Sequence, residues 1–336
     1  LYVHAVEASA DPQRGVVAAD RLRTLIPGSG HLVHMPAHIY ARVGRWHDAV
    51  VANQAAIAAD NDYLATCGPN AKGVYPLGYV PHNPHFLWFA ASMEGASKVA
   101  QDAARTTAQR VNLPDLMRQP GFAGLQHYWM TPWFDNVRFG RWDEIRAVPN
   151  PAPDLPYVTA IWNYAQAMAA IRQGRMEDAN THYAALSKLA ADPVMETMMV
   201  WDRYPLAHAA NIAERTVNAE LALARGDQVA AIAALTEAVT IEDRIPYDEP
   251  PGWHSPVRQS LGAALLSAGR ASEAEQVYRD ELQRNPQNGW SLKGLALALR
   301  QQQKTEAAVA VEKQLQAAWQ HADVQLVFVE GARMGR

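Results

Sequence analysis

The stretch Leu261–Pro286, LGAALLSAGRASEAEQVYRDELQRNP, decides the fold. A helical pattern of apolar residues runs up to Gly269, a second pattern starts directly after it, and Ala274 stands five residues beyond the glycine. Glycine ends a helix cheaply because it enters the left-handed region without a side-chain clash. A small residue early in the next helix lets the two axes approach closely. The stretch therefore reads as a helical hairpin, ended by Pro286.

The same pair recurs as Gly44/Ala49, Gly95/Ala100, Gly174/Ala179 and Gly226/Ala231, with Gly140/Ile145 as a bulkier version. The interval is 34 residues from Gly140 to Gly174 and 43 to 52 between the others. Stepping 34 residues back from Gly44 gives Ala10, and 34 forward from Gly269 gives Gln303; Gly15 and Ala308 then fill the small position. That makes eight units. The excess lengths coincide with segments rich in Pro, Gly and polar residues, Cys67–Pro81, Pro114–Gly124, Asp192–Pro205 and Ile245–Gly252. These read as loops inserted into a 34-residue frame.

A period of 34, with Gly269, Ala274, Tyr278 and Pro286 at the expected places, resembles the tetratricopeptide repeat family. That resemblance covers nearly the whole chain. The stretch from Gly30 through His31, His34, Pro36 and His38 to Tyr40, with His4 and Glu7 before it and His82, Pro84, His85 and Phe86 after it, is similar to a widespread, largely uncharacterised microbial and fungal subset of these proteins. The narrower motifs cover residues 1–95. The repeat resemblance implies an all-α fold, a tetratricopeptide-type α-solenoid of about eight helical hairpins with inserted loops. The chain is expected to form one superhelix over 1–336, with a histidine-bearing half (1–150) and a scaffold half (151–336) whose loops can cover the groove.

Composition narrows the function. The 336 residues carry 30 basic and 34 acidic side chains, a net charge of -4, with no basic face or charged tail suited to nucleic acid or lipid headgroups. Neither partner is expected. Cys67 is the only cysteine, so a metal has to be held by nitrogen and oxygen. No apolar run reaches the ~18 residues of a membrane helix and no signal peptide opens the chain, which points to the cytoplasm. Because the sequence opens at Leu1 inside a helical pattern, further residues are expected upstream, and the resemblance to the narrower subset implies another histidine-containing stretch there. Phosphate-binding glycine loops, dinucleotide fingerprints, G-x-S-x-G elbows and H-E-x-x-H helices are absent from the sequence.

What remains is the histidines. With the turn glycine numbered 15, the resemblance implies that positions 2, 5, 9 and 12 of each first helix face the concave groove. Position 2 is His31, His82 and His127 in units two to four; position 5 is His34, His85 and Met130; position 9 is His4, His38, Phe89 and Phe134 in units one to four. Glu7 takes position 12 of unit one. Seven of these ten inward sites are histidine, where 12 histidines scattered over 336 residues would place fewer than one. His31, His34 and His38 share one helical face, within an arc of about 60°. A single histidine of this kind is more often a satisfied groove residue, but seven in register point to a metal, because imidazole ligates zinc, copper, iron and nickel.

The central ligand set expected from this register is His34, His38 and His85, supplemented by His4 and His31, with His82 and His127 completing a second ion or orienting the first shell. Zinc is the first choice of ion, with copper or iron as alternatives. Glu7 is the candidate general base, though an acceptor or ligand role fits its place as well: with three imidazoles and an open position, zinc brings bound water to a pKa of about 7. Phe89, Met130 and Phe134 make the adjoining groove apolar and suited to a small organic substrate. Arg42 at position 13, and His254 with Arg258 beside the Glu249–Gly252 loop, are candidate substrate contacts. The reading is a metal-dependent hydrolase or oxidoreductase. The alternatives are a groove that binds a short peptide, the usual occupation of such solenoids, and a non-catalytic metal carrier or sensor. Oligomeric state is not readable from the chain.

Overall fold

The computed structural model describes residues 1–68, 73–119 and 121–325, with the backbone of 328–329 and 333–334. Residues 69–72 of the insertion after Cys67, and Pro120 of the insertion before Gly124, lie outside the described residues. Helix makes up 72% of the structure and strand 1%, so the chain is all-α. No described helix is long and apolar enough to cross a membrane.

Among the described residues the helices succeed one another as hairpins. The first pairs α1 (Tyr2–Glu7) with α2 (Val16–Leu22). In the second, α3 (Gly30–His34) and α4 (Pro36–Arg42) precede α5 (Trp46–Cys67), and the third pairs α6 (Val80–Glu94) with α7 (Ser97–Arg110). After the short α8 (Pro114–Met117) come α9 (Gly124–Trp129), α10 (Thr131–Arg138) and α11 (Trp142–Arg146), then α12 (Pro156–Arg172) with α13 (Met176–Ala190). A short α14 (Val194–Thr197) and a two-stranded ladder, β1 (Met199–Val200) with β2 (Tyr204–Pro205), fill the next insertion. The last three hairpins are α15 (Ala207–Ala224) with α16 (Gln228–Glu242), α17 (Val257–Ser267) with α18 (Ala271–Arg284), and α19 (Gly289–Gln301) with α20 (Thr305–Ala318).

The turn chemistry follows the glycine–alanine reading. The six turn glycines have φ between +68° and +79°, and Gln303, which stands at the same place in the eighth unit, has φ +60°. Ala49, Ala100, Ala179, Ala231, Ala274 and Ala308 are all fully buried, and Ile145 is 1% exposed. The close approach that asked for small residues is therefore present. Proline breaks the first helix of units two and four. Pro36 and Pro132 lack the N–H that would continue the helix, so α3 gives way to α4 and α9 to α10. The hydroxyl of Thr131 donates to the Tyr128 carbonyl at 2.6 Å, which pairs the acceptor that Pro132 leaves free.

One apolar core cluster runs from Val3 to Val311. The last units also fold back onto the first. Trp46 Nε1 donates to the Pro286 carbonyl at 2.8 Å, and Trp290 Nε1 to the Ser92 carbonyl at 2.8 Å. The Asp323 carboxylate accepts from the backbone N–H groups of Ser97 (2.7 Å) and Lys98 (3.0 Å), capping α7 from the far end of the chain. Gly44 illustrates the closeness. A Cβ there would sit 2.7 Å from the Pro286 carbonyl oxygen, so the residue serves both the turn and the contact.

Candidate metal centre

The decisive side chains come from two adjacent first helices. His34 ends α3, His38 lies one turn further on in α4, and His82 opens α6. Although Pro36 interrupts the helix between them, the rings of His34 and His38 remain 4.6 Å apart between centroids. His82 is brought to them by a buried carboxylate. Asp60 of α5 accepts from the Asn83 amide at 2.7 Å and from the Tyr75 hydroxyl at 2.7 Å, and the same hydroxyl accepts the His31 backbone N–H at 3.3 Å. The entrances of α3 and α6 are thereby tied to one point on α5. Asp60 leaves no room for a side chain at Gly30, where a Cβ would lie 2.0 Å from its Oδ1.

The result is a convergence of three ring nitrogens. Nε2 of His34 lies 2.7 Å from Nε2 of His38 and 3.0 Å from Nε2 of His82. Nitrogens this close can share a proton, and with a small outward shift to the roughly 3.4 Å between tetrahedral ligands they could hold one ion. The other ring nitrogens are committed. His34 Nδ1 lies 2.7 Å from Asn53 Oδ1, and the Asn53 amide in turn donates to the Ala49 carbonyl at 2.8 Å, which fixes the oxygen toward the ring. His34 therefore donates from Nδ1 and presents a lone pair at Nε2. His38 Nδ1 faces Glu249, in close contact, and Glu7 Oε2 at 3.4 Å. Two carboxylates hold its proton on Nδ1 and leave Nε2 to the convergence point.

The electrostatics favour neutral rings. Burial, reinforced by the neighbouring His38 and His82, holds His34 far below the ordinary histidine range. Burial, with His38, His31 and His4 nearby, takes His82 down to about 3, and burial with His4 and His38 takes His31 to about 4. His38 goes the other way: burial works against its charged form, but Glu249, Glu7 and Asp248 outweigh it and raise the ring.

The remaining candidates separate by location. His85 stacks on Trp88 and packs 4.2 Å from the Tyr128 ring, outside the triad, so the third nitrogen of the convergence is that of His82 where the sequence register had put His85. His127 pairs its Nδ1 with the Tyr157 hydroxyl at 2.7 Å, and burial takes it to about 4. His31 packs its ring 4.4 Å from Tyr79. His4, more exposed, reaches Glu7 Oε1 at 3.2 Å. Glu7 stands behind His38, on its Nδ1 side, which is an acceptor's place and away from the three Nε2 atoms where a general base would be needed. Among the described residues the groups able to hold an ion are His34–His38–His82 and Glu7–His38–Glu249.

A cavity of about 190 Å³ adjoins this region, lined by Arg42, Phe89, Trp46, Tyr247, Glu249 and Trp253 among others. Two of the proposed substrate contacts, Phe89 and Arg42, are on its wall; Arg42 spends Nε and Nη2 on the carbonyls of Glu7 (3.0 Å) and Ser9 (3.1 Å). The other four are elsewhere. Met130 and Phe134 are fully buried in the core, His254 stacks on Phe134 at 4.5 Å, and Arg258 is paired with Asp243 at 2.7 Å. Asn53 and Glu249 carry no signal of a site in the sequence. Asn53 sits on a second helix with no motif around it, and Glu249 belongs to a loop 211 residues away from His38, one of those expected to cover the groove.

No protein-family model matches the chain, and no curated protein matches it.

Proposed function

We propose that the chain is a tetratricopeptide-type solenoid of eight hairpins that binds a transition metal at His34, His38 and His82, zinc first and copper or iron as alternatives, and acts as a metal-dependent enzyme on a small organic substrate. The observation that carries the reading is the pair of Nε2 atoms 2.7 Å apart on His34 and His38, both with acceptors at Nδ1. With both rings neutral the two buried lone pairs repel, and a cation between them, a metal ion or the proton that His38 favours, removes the repulsion. Neutral imidazole is also the form a metal requires, and burial favours it at His34 and His82.

A metal held by three imidazoles with an open position supplies Lewis acidity, and with copper or iron redox chemistry. The chain's own residues orient it: Asn53 fixes His34, while Glu7 and Glu249 fix His38. A small substrate fits the surroundings better than an extended peptide, because the Ile245–Trp253 segment faces Arg42, Trp46 and Phe89 across the 190 Å³ cavity. The test is elemental analysis of protein purified without an affinity tag, followed by titration of the chelator-stripped protein with Zn²⁺ and Cu²⁺. One equivalent or more, lost in His34→Ala with helicity retained, supports the reading. No metal after purification and no binding on titration overturns it and leaves a shared proton as the reason the rings meet.

A further inference from the structure

The second group able to hold an ion shares a residue with the first, and uses the opposite nitrogen of the same ring. His38 offers Nε2 to His34 and His82, and Nδ1 to Glu7 and Glu249. Around Nδ1 three buried polar atoms meet with no partner other than one another: His38 Nδ1, Glu7 Oε2 and Glu249 Oε2. The side chains are 9%, 13% and 7% exposed. One imidazole N–H cannot satisfy two buried carboxylate oxygens, so the group is short of positive charge and is able to hold a cation.

Each carboxylate is held by its other oxygen. Glu7 Oε1 lies 3.2 Å from His4 Nδ1, and Glu249 Oε1 accepts from the Tyr247 hydroxyl. The remaining oxygen of each is presented toward His38. Arg42, whose charge bears on Glu249, spends its Nε and Nη2 on the carbonyls of Glu7 and Ser9. The separation of 3.4 Å between His38 Nδ1 and Glu7 Oε2 matches that of two tetrahedral ligands on one ion.

We propose that His38 bridges two metal ions as an imidazolate, one held through Nε2 with His34 and His82 and the other through Nδ1 with Glu7 and Glu249. The ring geometry sets the ions roughly 6 Å apart, from two bonds of ~2.1 Å and the span of the ring. Binding of the second ion displaces the Nδ1 proton, which leaves to solvent. The second site has one nitrogen and two oxygens, a harder set than the three imidazoles of the first, so the two positions discriminate between metals. Glu249 also lines the 190 Å³ cavity, which makes the second ion the one that a small molecule in the cavity reaches. The inference rests on the triad reading above, because a bridge needs an ion at its first end.

The experiment is native mass spectrometry of the whole chain, stripped with chelator and reloaded with Zn²⁺, together with low-temperature electron paramagnetic resonance of the Cu²⁺-loaded protein. Two equivalents are expected in the wild type, falling to one in Glu249→Gln and in Glu7→Gln. An imidazolate couples two copper spins, so the wild-type resonance should be weaker than its copper content, and full intensity per copper should return in either variant. Glu7 lies at the end of the six-residue α1 and is the most exposed of the three side chains, so Glu7→Gln supplies the result if Glu249→Gln fails to fold. One equivalent in the wild type, unchanged in the variants, overturns the bridge and leaves the triad standing. Two uncoupled coppers also overturn it, and no metal at all overturns the triad first.

Discussion

Asn53 Oδ1 sits 2.7 Å from His34 Nδ1 and decides which ring nitrogen of that histidine carries the proton. Its own amide is occupied at the Ala49 carbonyl, so it can only accept from the ring. Removing the acceptor frees the ring to change tautomer and to rotate away from the convergence point. Asn53→Ala is expected to weaken metal binding about 10- to 100-fold, the usual cost of losing an outer-shell partner. Competition against a chelator of known affinity measures it, with circular dichroism as the check on folding; unchanged affinity would show that the ring is fixed by packing alone.

Asp60 holds the two histidine-bearing helices in register. It accepts from Tyr75 and Asn83 in a fully buried place. Asp60→Ala strands both donors, and at about 1–3 kcal/mol for each unpaired group the fold should lose at least ~2 kcal/mol. Asp60→Asn keeps one acceptor and should recover about half. Urea denaturation of both variants reads this out, and equal loss in the two would mean that the hydrogen bonds matter less than the space the side chain fills.

Much of the architecture could be read in advance because it depends on local chemistry. A left-handed turn selects glycine and a tight helix crossing selects alanine, so Gly269 and Ala274 mark a hairpin whatever surrounds them. The inward histidines were legible for the same reason, being fixed by helical period. The choice among them was not, since His82 replaces His85 through the offset between α4 and α6. That offset is set by Asp60, Tyr75 and Asn83, and no spacing rule within a single helix contains it. Glu249 was hidden for a related reason. Its contact with His38 depends on the last units folding back, through Trp46 to Pro286 and Trp290 to Ser92, and such closure leaves no periodic trace.

His127 gives a pH dependence that can be isolated from the metal. Burial takes it from 6.5 to about 4, so between these values the unfolded chain binds a proton that the folded chain refuses. Stability rises with pH across that window; the contribution is complete above 6.5 and is lost as the pH falls toward 4. His31 and His82 act in the same direction. His127→Gln keeps a partner for the Tyr157 hydroxyl but does not titrate. Urea midpoints of the metal-free protein at pH 7.5 and 5.0 should drop less in the variant than in the wild type, by up to about 1.4 kcal/mol for each pH unit of the window. An identical drop in both would mean that His127 accepts a proton in the folded state.

Two turn glycines with nearly equal dihedrals separate the turn from the closure. Gly44 has φ +78° and Gly174 has φ +73°, so an added Cβ meets the same backbone penalty, about 1–2 kcal/mol, at both. Their surroundings differ. Nothing lies within 4 Å of a Cβ at Gly174, whereas at Gly44 it would press on the Pro286 carbonyl oxygen at 2.7 Å and on its carbon at 2.9 Å. Backbone atoms cannot swing aside as a side-chain tip can, so the loop between α18 and α19 has to move, and with it the bond from Trp46 Nε1. Gly174→Ala should therefore lower stability by the turn penalty alone, and Gly44→Ala by at least a further ~1 kcal/mol. Hydrogen exchange adds the discriminating reading: in Gly44→Ala the amides around Pro286 should exchange faster, while in Gly174→Ala they should not. Equal destabilisation with no change in exchange would mean that the last units do not bear on unit two, and that Glu249 reaches His38 without the help of that closure.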